Sequence, residues 1–173
     1  REALSNVVHH SAAREASVAR APEGETLGSG LHLAGSGSNL VVTRALAAAY
    51  RVAQAAHAHL AASQGRLVYL VPTLGMTGAA GFAPLATAAE AVRALAKGVA
   101  KTWGKYGVTV NTIGYAFAGD AAAETHSLVP PALGRAADPE TDIAPVVALF
   151  DGPDAHFVTG ATLVLDGGIW MAL

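Results

Sequence analysis

Short runs rich in β-branched and other apolar side chains alternate along this chain with longer stretches patterned for helices. That alternation restricts the fold to an α/β layer architecture. Asn6-Val7-Val8-His9-His10 reads as a short strand, and a loop rich in Gly, Ser, Glu and Pro follows from about Ser11 to Ser38. Leu46, Tyr50, Ala53, His57 and Leu60 recur at helical spacing, which predicts a helix over roughly 39–62. Gly65 ends it, and Leu67-Val68-Tyr69-Leu70-Val71 reads as a buried strand closed by Pro72. Beyond Gly75, Gly78 and Gly81, a second apolar stripe runs through Leu85, Ala88, Val92, Leu95, Val99 and Trp103. Glu90, Arg93, Lys97 and Lys101 take the opposite face of that helix. Gly104 and Gly107 frame the turn into a strand from Val108 to Ile113. A variable stretch from Gly119 to Asp138 leads to Pro139 at a helix start, and that helix runs to about Phe150. The last strand spans Ala161 to Leu165, ahead of Asp166-Gly167-Gly168. No repeat or linker interrupts this order, so residues 1–173 are read as a single domain.

Composition narrows the function classes. Hydrophobic residues make up 52% and charged residues 14%, apolar enough to suggest surface buried against a partner. Alanine crowds both long helices, through helix propensity or through close packing on another subunit. A net charge of −2 gives no general attraction to nucleic acid or anionic lipid. Arg51, Glu90, Arg93 and Lys97 interrupt the apolar stretches well before the ~18 residues of a membrane span. No segment has the layout of a signal peptide, and a cytoplasmic location is expected. The chain has no cysteine, so neither disulfides nor thiol chemistry is available.

Four local motifs, in order, resemble the short-chain dehydrogenase/reductase family. Gly65-Arg66-Leu67-Val68-Tyr69-Leu70 is similar to the family's Gly-Arg-Ile-Val-Asn-Ile run, and Lys105-Tyr106-Gly107-Val108-Thr109-Val110-Asn111 to the lead into its sixth strand. Leu133-Gly134-Arg135 with Asp138-Pro139-Glu140 resembles its "lgR..ePeE" turn. Thr159-Gly160-Ala161-Thr162-Leu163-Val164-Leu165-Asp166-Gly167-Gly168 resembles its closing strand. The resemblance implies a Rossmann-like, mostly parallel sheet flanked by helices. The family's N-terminal nucleotide-binding half would then be truncated or lie outside this stretch of chain.

The same resemblance implies a chemistry whose groups are missing. In the family a tyrosine moves a proton while hydride passes to or from a nicotinamide. A lysine four residues on binds the ribose and lowers the tyrosine pKa. A serine holds the substrate oxygen, and an asparagine completes a proton relay. These positions fall here on Leu85, Ala89, Pro72 and Ala45, and none of the four side chains can exchange a proton. Thr73 is a candidate displaced serine, but without the tyrosine and lysine it has nothing to serve. The family's Asn-Asn-Ala-Gly cofactor contact reads His9-His10-Ser11-Ala12, and its Pro-Gly beside the nicotinamide reads Tyr115-Ala116. No catalytic, cofactor-binding or metal residue is therefore assigned.

Other motifs read better as structure. Leu31-His32-Leu33-Ala34 before Gly35-Ser36-Gly37-Ser38-Asn39 imitates a phosphate loop, but it lacks the third glycine and the later acidic residue. An N-cap by Ser38 or Asn39 explains it. His9 and His10 point to opposite strand faces, and His57 and His59 are not face-mates on a helix, so no metal site is read. Asp120, Glu124 and His126 suit a polar loop. The glycines of Asp166-Gly167-Gly168 make the chain reversal after the last strand.

The expectation is a non-catalytic subunit of a heterodimer or heterotetramer, stabilising an active short-chain dehydrogenase that carries the NAD. No nucleic acid or membrane partner is expected. Heteromers of this kind in the family include the coenzyme A-thioester dehydrogenase of anaerobic toluene breakdown, which suggests a hydroxyacyl-CoA substrate for the partner. The expected interface is Leu46, Tyr50, Ala53, Leu60, Ala88, Val92, Leu95, Val99, Trp103 and Trp170. The alternatives are a stand-alone ligand-binding or regulatory homodimer, and a divergent oxidoreductase using His126, Asp120 or Tyr115.

Overall fold

A computed structural model describes residues 7–11, 36–116 and 130–171. Four strands, β1 (Val7–Ser11), β2 (Arg66–Pro72), β3 (Thr109–Tyr115) and β4 (Thr162–Leu165), form one sheet in the order β1-β2-β3-β4. Every pairing is parallel: Val8 lies opposite Leu67, Leu67 opposite Val110, and Ile113 opposite Leu163. Parallel neighbours need long crossovers, which the helices provide. α1 (Ser36–Ser63) lies between β1 and β2, α2 (Ala83–Trp103) between β2 and β3, and α3 (Ala144–Asp151) before β4.

Alternation along β2 serves two cores. Leu67, Tyr69 and Val71 join Ala49, Ala53, Ala56 and Leu60 of α1, with Ala89, Val92 and Ala96 of α2. Val68 turns the other way, towards Ile113, Val147 and Phe150. A strand covered on both faces needs apolar residues at successive positions, which explains its unbroken hydrophobic run. The fold is thus α/β, a parallel sheet flanked by helices, as the element order predicts.

Several details differ from expectation. α1 starts at Ser36, so Gly37, Ser38 and Asn39 lie inside the helix and neither Ser38 nor Asn39 caps it. Small polar residues are tolerated there because first-turn N–H groups have no helical partner. Leu31-His32-Leu33-Ala34 lies outside the described residues. At the other end Gln64, not Gly65, takes the left-handed conformation (φ 52°), and the Gly65 N–H returns to the Leu60 carbonyl at 2.9 Å. The helix expected from Pro139 begins instead as a wide π turn, Pro139–Ile143. Pro145 has no N–H to close an ordinary turn, and the Ala144 N–H reaches back to Pro139.

The expected interface is largely interior. Ala53, Leu60, Ala88, Val92 and Trp103 are buried within the chain, and Leu95 and Val99 pack against the same cluster. Only Leu46 and Tyr50 of the ten are exposed, while Trp170 is half-buried. The reason is the helix pairing itself. α1 turns its small alanines inward and packs beside α2, so its stripe is rotated from the Leu46–Tyr50 line.

Candidate functional site

Open parallel sheets present ligands at the carboxyl ends of their strands. Here β2 and β3 end together, with Pro72 in register with Tyr115. Pro72 is fully buried, an unusual place for a residue that cannot donate to a ladder. The ladder explains it. The Thr73 N–H bonds the Tyr115 carbonyl at 2.9 Å, so odd residues of β2 bond to β3 and even residues face β1. Among the described residues β1 pairs as far as Leu70, and position 72 falls beyond that pairing.

Thr73 is buried, and its hydroxyl donates to the same Tyr115 carbonyl at 3.4 Å. Its methyl lies 3.1 Å from where a Cβ on Gly114 would stand, so glycine is what lets the strands meet this closely. The hydroxyl thus adds a second bond at the strand end.

After a one-turn helix, Leu74–Thr77, α2 begins with Leu85 half-buried in its first turn and Ala89 buried one turn on. Ala89 shares a cluster with Ala49 and Tyr69, whose hydroxyl donates to the Ala49 carbonyl at 3.0 Å. Burial pushes the Tyr69 phenol up to about 12. Ala45 is buried on α1, four residues before Ala49. The structure therefore sets apolar side chains at all four family positions, and Ala89 takes part in core packing. Glu90 lies over Gly75, where an added Cβ would be 2.5 Å from its Cγ, and it pairs with Arg93 at 2.6 Å.

Three carboxylates in the C-terminal part, Asp138, Asp142 and Asp166, accept backbone N–H groups. Asp166 is buried and accepts N–H bonds from Gly168, Ile169 and Trp170 at 3.0, 3.1 and 2.8 Å. Gly167 (φ 66°) and Gly168 (φ 87°) make the left-handed reversal expected of this motif. Asp138 accepts from the Glu140 and Thr141 N–H groups, with Thr141 the main cause of its lowered pKa. Asp142 is held well below the usual carboxylate range by its hydrogen bonds from Arg135, then by the Asp138 N–H.

Residues 12–170 match the family profile described as enoyl-(acyl carrier protein) reductase. The chain belongs to the short-chain dehydrogenase/reductase family. It is 35% identical over 115 residues to 3-oxoacyl-[acyl-carrier-protein] reductase of Vibrio cholerae, covering 62% of this chain and 47% of that protein. It is 31% identical over 121 residues to a 12alpha-hydroxysteroid dehydrogenase of Clostridium sp., covering 64% and 46%. With the (3R)-3-hydroxyacyl-CoA dehydrogenase of Mus musculus the identity is 27% over 152 residues, covering 82% and 58%. The chain spans about half the length of these relatives.

For this family the residues at the nicotinamide end do not fit the cofactor. The ribose-binding lysine position is Ala89, 2% exposed, and Pro72, Leu85 and Ala116 offer no side-chain hydrogen bond. Asp120, Glu124 and His126 fall outside the described residues, as does Ala12. Among the described residues there is no cluster of three metal-ligating side chains, and no helix is long and apolar enough to cross a membrane. What sequence reasoning missed is the polar bracing: the Tyr69 bond to α1 and the Asn111 amide between β3 and the 158–161 loop. A lone Asn in an apolar strand was the available signal, since a buried amide needs partners.

Proposed function

We propose that this chain is a non-catalytic subunit that associates with and stabilises an active, NAD-carrying short-chain dehydrogenase in a hetero-oligomer. The observation that carries the reading is the apolar occupancy of the four family positions by Ala45, Pro72, Leu85 and Ala89. None of these side chains can act as general acid or base, and none can hold a ribose hydroxyl. A scaffold kept without those groups acts through its surface.

That surface carries exposed apolar side chains on α3, on β4 and in the turn before β4: Leu149 is 49% exposed, Leu163 38% and Phe157 92%. β4 also ends the described sheet, and an edge strand is a natural place to receive another chain. Relatives named for reducing an acyl-carrier-protein substrate and oxidising a hydroxyacyl-CoA support an acyl thioester as the partner's substrate class.

Native mass spectrometry of the protein purified untagged from its source tests the proposal. The expected result is a complex with a second, full-length dehydrogenase chain, whose activity falls when this subunit is removed. A homomer of this chain alone, or NAD(H)-linked turnover by the isolated chain, overturns the reading.

A further inference from the structure

We draw no further inference here: the strongest candidate, the exposed apolar surface patch of Leu133 and Met171 beside the Gly167–Gly168 reversal, carries nothing because nothing in the structure shows what covers it.

Discussion

Tyr69→Phe probes the packing around Ala49 and Ala89 with the smallest change of shape. The Tyr69 ring is 0% exposed, and its hydroxyl ties β2 to the Ala49 carbonyl of α1 at 3.0 Å. Phenylalanine keeps the ring and removes the hydroxyl, so the expected cost at neutral pH is about 1 kcal/mol. The larger effect appears in alkali. The folded phenol titrates at about 12, whereas an unfolded tyrosine ionises near 10. Between those values the folded state binds more protons than the unfolded one, so stability falls as pH rises. The slope is about 1.4 kcal/mol per pH unit, summing to roughly 3 kcal/mol across the window. Tyr69→Phe removes the bond and the slope together. Its stability curve therefore starts below that of the unaltered chain and crosses it close to pH 11. Urea unfolding followed by circular dichroism across about pH 8–12 reads both quantities. Curves that stay parallel over that range would show that the phenol is not buried as described.

Leu60 is 0% exposed in the α1–α2–sheet cluster, so Leu60→Ala is expected to cost about 2–5 kcal/mol in urea unfolding; a change below ~1 kcal/mol would refute the burial. Gly107 combines φ 74° with a Cβ position 2.9 Å from the Gln64 Nε2. Gly107→Ala should lose about 1–2 kcal/mol, and a neutral result would mean the turn is free to relax. Asp142 and Asp138 have folded pKa values below their unfolded ones, so their contribution is present above about pH 4 and disappears as pH falls through the folded values. Carboxyl NMR titration should place both below the usual range, with Arg135→Ala returning Asp142 towards 4; ordinary values in the unaltered chain would contradict the geometry.

The element order was legible because the strand and helix patterns differ in period, and each period carried over into the structure. α2 illustrates this, running from Ala83 to Trp103 with Ala88, Val92 and Trp103 buried as its stripe predicts. α1 was harder. The stripe read from sequence was Leu46, Tyr50, Ala53, His57 and Leu60, favouring large side chains over small alanines. Packing kept Ala53 and Leu60 but put Ala49 and Ala56 in the core where the stripe had Leu46 and Tyr50, which let α1 approach the sheet closely enough for Tyr69 to reach a helical carbonyl. The candidate site was legible in residue identity, since Pro72, Leu85 and Ala89 can be read directly, but not in its bracing. Long-range bonds such as Thr73 to Tyr115 depend on which strands become neighbours, and local spacing does not state that.

Asn111 has a consequence for how the sheet is assembled. β4 is a short run, Thr162-Leu163-Val164-Leu165, whose apolar residues alone discriminate poorly between alignments displaced by two positions. The Asn111 amide donates to the Val158 carbonyl at 2.8 Å and accepts from the Ala161 N–H at 3.1 Å, across up to 50 residues of chain. At 1% exposure it has no water to turn to. A displaced strand would leave both ends of the amide without partners, at about 1–3 kcal/mol for each group. One polar side chain thus acts as a gauge, admitting the last strand in a single alignment and penalising every other.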